Sequence, residues 1–438
     1  MDTAREPTKA LLERHRQVMP SWMALYYRDP IALVSGDGRY VQDADGKRYL
    51  DFFGGILTTM TGYNVPEVVE AVRDQAGRIM HSSTLYLIDS QVALAERIAE
   101  LSGIPDARVF FTNSGSEAND AALMLATAYR RSNQILAMRH SYHGRSFATV
   151  PVTGQASWSP SSLTPFNVHY VHGGYRYRSP FAALSDADYV AACVDDLENI
   201  LEVATAGDVA CLIAEPILGV SGFASPPDGL FGAFKEVLDR HSILFIADEV
   251  QTGWGRTGEH FWGFQAHGIT PDIVTFAKGL GNGLALGGVI ARAEVMDCFT
   301  AASISTFGGN PLTTRGALAN LEFLLKHDLQ ANARARGAQL MSGLKDIAHN
   351  RGFVGDLRGK GLMIGLEVTH PGTKDPDAER AAHLMEATKE QGLLVGKGGF
   401  YGNVLRIAPP LTVTEQEVDE GLALLRASFE AVAGDVYA

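Results

Sequence analysis

The chain has 438 residues and a formal net charge of −13, with 46% hydrophobic and 20% charged residues. This length allows two domains around a sizeable core, and the composition is typical of a soluble globular protein. A nucleic acid or an anionic membrane surface is an unfavourable partner for so acidic a chain.

The cysteines and the N-terminus indicate a reducing compartment. Cys193, Cys211 and Cys298 are far apart and form no C-x-x-C motif, which argues against a disulfide framework or a zinc site. The N-terminal segment lacks the apolar core of a signal peptide, and its acidic residues fit a transit peptide poorly. No apolar run reaches about 18 residues, so no transmembrane helix is expected. We therefore expect a cytoplasmic protein without a metal site.

The first 60 residues predict an N-terminal arm and a small β element. Two strand-like segments, 36–41 and 43–50, are predicted to be joined by an Asp-Gly turn. Two glycines follow Phe52 and Phe53, and they permit a close approach of the backbone to another group.

The middle of the chain, residues 61–313, predicts a large domain. Helical periodicity begins at Pro66, and a second helix is predicted over 89–101, capped by Asp89 or Ser90. Strands then alternate with helices, which implies a mostly parallel sheet. The predicted strands are 109–112, 135–138, 209–214, 243–247 and 273–276, and a helix is predicted over 117–131. Residues 151–190, rich in Pro, Ser, Gly and Tyr, are predicted to form a wall of a site or an interface.

The character of the chain changes after residue 313. The predicted helices are 314–326, 329–350, 378–391 and 414–432, and the predicted short strands are 361–368 and 404–407. We expect residues 314–438 to form a C-terminal small α/β domain, to which residues 1–60 contribute an arm and a part.

An acid and an amine end two neighbouring hydrophobic segments. The apolar run 243–247 precedes Asp248, and the run 273–276 precedes Ala277 and Lys278. Continuous apolar runs of this kind are typical of buried parallel strands, and open α/β sheets bind ligands at the carboxyl ends of their strands. A lysine amine can form a Schiff base with pyridoxal phosphate, and a carboxylate can keep its pyridine nitrogen protonated. Either residue alone is more often an ordinary surface lysine or loop acid.

Four sequence blocks occur together with this pair. They are NSGSEAN at 113–119, YHG at 142–144, DEVQTGWGRTG at 248–258 and FAKGLGNG at 276–283. In these blocks the sequence resembles the class III (omega) aminotransferases, which are pyridoxal-phosphate enzymes of fold type I. The resemblance implies an α/β fold, with a mostly parallel seven-stranded sheet in the large domain and a small α/β domain built from both termini.

The resemblance also implies roles for individual residues. Lys278 carries the cofactor and moves the substrate proton as general base and then acid, while Asp248 keeps the ring nitrogen protonated. The remaining cofactor-binding residues are Gly115 and Ser116 at the phosphate, Tyr142 and Val250 on opposite ring faces, and Gln251 at the ring oxygen. For His143 the sequence leaves two possibilities open, a supporting contact to the site or simple core packing.

The block at 306–311 bears on assembly. Its Thr306 matches a threonine that, in fold type I enzymes, reaches the cofactor phosphate of the neighbouring subunit; a plain turn residue is the alternative. The resemblance therefore implies a homodimer with shared active sites. Whether dimers pair into a tetramer is left open.

Two arginines bear on the substrate. Arg406 lies inside an apolar strand, where an unpaired charge is costly, so we expect it to meet an anion. The matching family arginine holds the substrate α-carboxylate through a bidentate fork, and an edge-strand arginine facing water is the alternative. Arg145 matches the arginine that 4-aminobutyrate transaminases use for the distal carboxylate, unless it only pairs with a local acid. The segment that ends in Ile56 lines the substrate entrance in the family.

The segment 215–222 departs from one family pattern. Transaminases that use 2-oxoglutarate commonly carry E-P-x-Q-G-E-G-G, whose second glutamate neutralises the carboxylate-binding arginine when the substrate has no α-carboxylate. Here Leu218 stands at the glutamine position and Val220 at the position of that glutamate. The segment, like GDLRGKGLMIGLE at 355–367, is more similar to the alanine–glyoxylate and β-alanine-type branch.

The favoured function is an aminotransferase that moves an amino group from an ω-amino or short α-amino acid to pyruvate or glyoxylate. A phospho-lyase of the same family, a 2-oxoglutarate-dependent 4-aminobutyrate or ornithine-type transaminase, and a non-catalytic binding protein are the alternatives. Retention of Asp248, Gln251 and Lys278 argues against the last of these, because a binding protein need not keep a catalytic base. The chain length of the donor is not predicted.

Overall fold

The computed structural model describes residues 8–23, 25–349 and 351–433. The strands are β1 (Leu33–Asp37), β2 (Tyr40–Asp43), β3 (Arg48–Asp51), β4 (Ala107–Thr112), β5 (Gln134–Met138), β6 (Asn167–Val171), β7 (Cys211–Ala214), β8 (Leu244–Asp248), β9 (Ile273–Phe276), β10 (Gly287–Arg292), β11 (Val354–Lys360), β12 (Met363–Val368), β13 (Leu393–Leu394), β14 (Gly396–Gly398) and β15 (Val404–Ile407). The helices are α1 (Thr8–Val18), α2 (Gly54–Leu57), α3 (Pro66–Arg78), α4 (Asp89–Ser102), α5 (Gly115–Arg130), α6 (Asp186–Val203), α7 (Leu230–Arg240), α8 (Ala293–Met296), α9 (Pro311–Lys326), α10 (Leu329–Ala348), α11 (Ala378–Gln391) and α12 (Glu415–Ala433).

A seven-stranded sheet of order β4-β10-β9-β8-β7-β5-β6 forms the centre of the molecule. Its strands are parallel except β10, which pairs antiparallel with both β4 and β9. Strands β5, β7, β8 and β9 are buried along their whole length, as continuous apolar runs between two helical layers require. The prediction of an α/β fold with a mostly parallel seven-stranded sheet is confirmed.

Alternate residues of the central strands pack into two separate cores. Ile213 and Ile246 face α5, whereas Leu212 and Phe245 face α6 and α7. This alternation follows from the two-residue period of a strand, and it leaves only the strand ends free to carry polar groups.

Two smaller sheets join the two ends of the chain. β13 runs parallel to β3, with Leu393 opposite Leu50, in the sheet β1-β2-β3-β13. The sheet β11-β12-β15-β14 is antiparallel and carries Arg406 on β15. These pairings bring residues 33–51 beside the C-terminal part of the chain. The boundaries at residues 60 and 313 stay a prediction.

Several local predictions were wrong. Residues 33–51 form three strands instead of two, because the Asp37-Gly38 pair makes a turn of its own, with Asp37 opposite Tyr40. Helix α4 begins after Ile88, which makes no side-chain cap, so neither Asp89 nor Ser90 is its N-cap. Strands β6, β10, β11, β13 and β14 were not predicted. Strand β6 lies within the segment 151–190 and forms an edge of the large sheet.

The described helices include none that is long and apolar enough to cross a membrane. Within the same residues, no group of three or more His, Cys, Asp or Glu side chains could hold a metal ion.

Candidate active site

A cavity of about 500 Å³ opens at the carboxyl ends of the parallel strands. Strands β5, β7, β8 and β9 each deliver polar residues to it just beyond their last residue, as expected for an open α/β sheet. The predicted site residues that line it are Ile56, Gly115, Ser116, Tyr142, His143, Val220, Asp248, Val250, Gln251, Lys278 and Arg406.

Lys278 follows β9 in a strained turn at the cavity wall. Its backbone is left-handed, with φ of +46°, a conformation that costs a non-glycine residue about 1 kcal/mol. Burial lowers the pKa of its amine, although the charges of Asp248 and Glu215 act in the opposite direction. A desolvated amine with a lowered pKa is a better nucleophile and base at neutral pH.

Asn320 on α9 holds the turn that follows Lys278. Its Nδ2 donates to the carbonyl oxygens of Gly279 and Leu280 at 3.0 and 2.9 Å, and its Oδ1 accepts from Thr61 Oγ1 at 2.5 Å. The polar groups of this buried amide are therefore all satisfied, and both of the Nδ2 hydrogen bonds hold the lysine-bearing turn.

Asp248, at the end of β8, is held by three donors. Its Oδ2 lies 2.7 Å from both His143 Nδ1 and Asn119 Nδ2, and its Oδ1 accepts from Val250 N at 3.1 Å. Asn119 is itself fixed, because its Oδ1 accepts from Thr275 Oγ1 at 2.6 Å. His143 thus contacts the acid directly, and Oδ1 keeps a lone pair for a further donor.

The N-terminus of α5 forms one side of the cavity. Ser114 caps the helix by accepting from Glu117 N at 3.2 Å, which leaves the N–H groups of Gly115 and Ser116 among the unpaired donors of the first turn. A Cβ at Gly115 would lie 3.0 Å from Val250 Cγ1, so a larger residue would press on the cavity wall.

The cavity also has an aromatic wall and a buried amide. The ring of Tyr142 meets Trp158 edge to face, with centroids 5.3 Å apart. Gln251 is buried, and its Oε1 has no hydrogen-bond partner among the described residues. A buried amide oxygen without a partner is costly in the protein alone, so this position is suited to a polar ligand.

Glu215 lies just beyond β7, between the Asp248 and Tyr142 loops. It is buried, and its two carboxylate oxygens accept from Tyr142 N and Gly219 N, both at 2.8 Å. Burial raises the pKa of Glu215 to about 7; His143 lowers it and Asp248 raises it further.

Arg406 enters the cavity from β15. Its Nη1 donates to Gly219 O at 3.3 Å and its Nη2 to Lys397 O at 3.1 Å, and its guanidinium carbon lies 4.9 Å from the centre of the Phe53 ring. The side chain is buried, its Nη2 also donates to Tyr26 Oη at 3.4 Å, and its Nε has no partner among the described residues. A buried guanidinium whose partners are carbonyl and hydroxyl oxygens is a site for an anion.

Two predicted site residues lie outside the cavity. Arg145 is exposed, with its guanidinium carbon 5.7 Å from the centre of the Trp22 ring, and Thr306 is exposed in the loop before α9. The single chain therefore does not bring either residue to Lys278. Their roles at the substrate and at a neighbouring subunit stay predictions.

Four supporting residues were missed by the sequence reasoning: Asn119, Trp158, Glu215 and Asn320. Asn119 ends the NSGSEAN block and Glu215 ends the apolar segment 209–214, so both carried a usable local signal. Trp158 falls in the segment that was predicted as a wall. Nothing near Asn320 in sequence indicates its partners, which lie 40 positions or more away.

The family model of the class III aminotransferases matches residues 25–429. The chain is a class III aminotransferase. The resemblance read from the blocks around Asp248 and Lys278 is confirmed, and with it the expectation of an enzyme of fold type I.

Known relatives of this class III aminotransferase match over most of its length. The mitochondrial alanine–glyoxylate aminotransferase 2 homolog 2 of Arabidopsis thaliana is 40% identical and covers 93% of this chain and 85% of its own. The acetylornithine aminotransferase of Mycobacterium bovis is 37% identical, covering 99% of this chain and all of its own. An amine transaminase from an uncultivated Pseudomonas species, solved with pyridoxal phosphate bound, is 31% identical with a TM-score of 0.88, covering 94% and 98% of the two chains.

The class III aminotransferase uses pyridoxal phosphate, and its cavity fits this cofactor. Lys278 offers a desolvated amine for the aldehyde, Asp248 offers an oriented carboxylate for the pyridine nitrogen, and the α5 N-terminus offers N–H groups for the phosphate. Gln251 adds a buried amide whose oxygen lacks a partner. When bound, the cofactor supplies an electron-accepting ring for the carbon from which a proton is removed.

Proposed function

We propose that this aminotransferase moves an amino group from an ω-amino or short α-amino acid to pyruvate or glyoxylate. The observation that carries the proposal is that Arg406 and Val220 both line the cavity. Alanine and glyoxylate are also the substrates in the name of the Arabidopsis relative.

Arg406 is the proposed carboxylate-binding residue. Its guanidinium is buried beside the cavity, and its Nε has no partner among the described residues. A planar fork of N–H donors matches a carboxylate in two parallel hydrogen bonds, and burial strengthens such charge-assisted bonds.

Val220 is the proposed determinant of the acceptor. A glutamate at this position could form an ion pair with Arg406 and so neutralise it when the bound substrate has no α-carboxylate, but valine cannot. A dicarboxylate acceptor also needs a second cation, and Arg145 is exposed outside the cavity. Pyruvate and glyoxylate each need one cation and little space, which favours them over 2-oxoglutarate.

Each of the site residues has its own proposed role in the reaction. Lys278 takes the proton from the donor carbon and returns it as an acid, for which a lowered amine pKa is suited. Asp248, whose carboxylate is oriented by His143 and Asn119, would keep the pyridine nitrogen protonated. The proposed contacts of Tyr142 and Val250 on the ring faces complete the assignment.

Acceptor-dependent turnover with one fixed donor tests the proposal. We expect pyruvate or glyoxylate to exceed 2-oxoglutarate by at least about tenfold in kcat/KM, which corresponds to about 1.4 kcal/mol of transition-state binding. The Val220→Glu variant should narrow this gap, whereas Val220→Ile is a size-matched control that should keep it. Equal or faster turnover of the parent enzyme with 2-oxoglutarate would contradict the proposed acceptor.

We also propose a homodimer that acts in the cytoplasm. Ile304 and Phe307, beside Thr306, are large exposed apolar residues in the single chain, and so are Leu85, Tyr86 and Leu87. The two segments approach each other, because the Phe307 ring lies 5.1 Å from the His81 ring and Ile304 lines a groove with Thr84. Exposed apolar groups of this number on one side of a molecule favour association with another copy. The three cysteines, which are unpaired and form no C-x-x-C motif, support the cytoplasmic location, and localising the tagged full chain tests it.

A further inference from the structure

We propose that Glu215 is a positioning residue. Its ionised carboxylate holds the loop of Tyr142 and the loop of Gly219, and through Gly219 it positions Arg406. Protonation of Glu215 therefore weakens the binding of substrate carboxylates. This inference rests on the proposed role of Arg406. It assigns Glu215 no contact with the substrate.

The geometry connects Glu215 to Arg406 through one residue. The N–H of Gly219 donates to Glu215 Oε2 at 2.8 Å, and the carbonyl of the same residue accepts from Arg406 Nη1 at 3.3 Å. A change in the position of Gly219 therefore changes the position of the arginine's acceptor. A Cβ at Gly219 would lie 2.2 Å from Gln251 Nε2, so any other residue there would displace the Gln251 amide.

The other carboxylate oxygen reaches the opposite wall. Glu215 Oε1 accepts from Tyr142 N at 2.8 Å, in the loop that follows β5. A single carboxylate thus ties the loop of the aromatic residue to the loop that carries Gly219 and Val220. Protonation turns one carboxylate oxygen into a hydroxyl, which is a weaker acceptor for its N–H group than an ionised oxygen.

The surroundings of Glu215 place its titration in the working range of an enzyme. Burial raises the pKa of Glu215 to about 7, with His143 lowering it and Asp248 raising it. Tyr142 and Lys278 also face it, since the Glu215 charge acts on the pKa of each. Below about pH 7 the protonated form holds one of the two N–H groups more weakly, and above this pH the ionised form holds both strongly.

The test measures binding of propionate, a carboxylate without an amino or keto group, to the holoenzyme by calorimetry between about pH 6 and pH 8.5. For the parent enzyme we expect the Kd to rise about tenfold as the pH falls through 7. For Glu215→Gln we expect a Kd about tenfold higher at pH 8 and little further change with pH, because the amide presents a donor where a second acceptor is needed.

Glu249→Gln is the matched control. Glu249 is also buried at a strand end, it accepts from Gly263 N and Phe264 N at 2.9 and 2.7 Å, and burial raises its pKa to about 7. It does not line the cavity. This variant should lose thermal stability but keep the pH dependence of propionate binding. The comparison distinguishes a specific effect of Glu215 on binding from a general effect of a buried carboxylate on the stability of the fold.

Two results would overturn the inference: a flat Kd for the parent enzyme across this pH range, or an unchanged pH dependence in Glu215→Gln. The first needs no variant, so the test stands even where Glu215→Gln fails to fold. Arg406→Leu distinguishes the underlying proposal. If that variant binds propionate as the parent does, the assignment of Arg406 fails, whatever Glu215 does.

Discussion

At the residue scale, the site depends on a few charged side chains whose neighbours decide what they can do. Lys278 is kept in a left-handed conformation with a desolvated amine, and Asp248 is fixed by His143 and Asn119. Backbone strain of this kind persists only where the surrounding structure enforces it, and it concentrates at functional positions.

We predict that Lys278→Ala abolishes turnover while the fold persists, because alanine keeps the local backbone but removes the amine. Borohydride reduction of the holoenzyme followed by peptide mapping should place the cofactor label on Lys278 in the parent. Lys397→Ala is a control for the labelling, because burial also lowers the pKa of Lys397, yet it does not line the cavity. A label on any other lysine would refute the assignment.

Much of the chemistry at this scale was predictable from sequence. Lys278 and Asp248 follow short apolar runs, and a strand end is a local signal. Glu215 and Asn119 also carry local signals, but their contacts to Tyr142 and Asp248, which span 73 and 129 positions respectively, could not be predicted. Such contacts depend on which strands become neighbours, and no local pattern encodes that.

At the scale of elements, helix α9 supports the lysine-bearing turn through a single amide. Asn320 is fully buried and satisfies the carbonyls of Gly279 and Leu280. The turn between β9 and β10 therefore depends on a helix that starts more than 30 positions later.

We predict that Asn320→Ala loosens the Lys278 turn, because two buried carbonyls lose their donor. Each unsatisfied group costs about 1–3 kcal/mol, so the denaturant concentration at the midpoint of unfolding should fall. The fraction of cofactor that the protein retains on dialysis should fall as well. Asn332→Ala is a matched control, since Asn332 Nδ2 donates to the carbonyls of Leu411 and Val413 at 2.7 and 2.9 Å.

The control should lose stability without losing the cofactor. Equal cofactor loss in the Asn320 and Asn332 variants would mean that Asn320 serves the fold in general and not the Lys278 turn.

The helix ranges around these residues were predicted to within a few positions, because amphipathic periodicity is local.

At the scale of the whole molecule, the distance between Thr306 and the cavity bears on assembly. Thr306 is exposed and does not line the cavity of its own chain, and large apolar side chains near it are exposed. This arrangement is expected if the residue serves the phosphate site of a second copy.

We predict that mixed dimers of Lys278→Ala and Thr306→Ala recover activity that neither variant has on its own. If Thr306 acts across the interface, each mixed dimer contains one site with both native residues, so an equal random mixture should reach about a quarter of parental activity. Refolding the two variants together, with each refolded alone as the control, provides the measurement. No recovery would mean that Thr306 acts within its own chain or not at all.

The sequence by itself determined the fold class and the cofactor, and it placed Asp248 and Lys278 at the ends of two neighbouring strands. Continuous apolar strands, helical periodicity and contiguous motif blocks are local features, so they can be read without a structure. They also predicted that most strands of the central sheet run parallel.

Only the tertiary structure decided how distant segments meet. It turned β10 antiparallel between β4 and β9, paired β13 with β3, and brought Gly219 between Glu215 and Arg406. The physical reason is the same in each case. A hydrogen bond between segments far apart along the chain forms only where packing of the layers brings its donor and acceptor within about 3 Å, and that packing is a property of the whole chain.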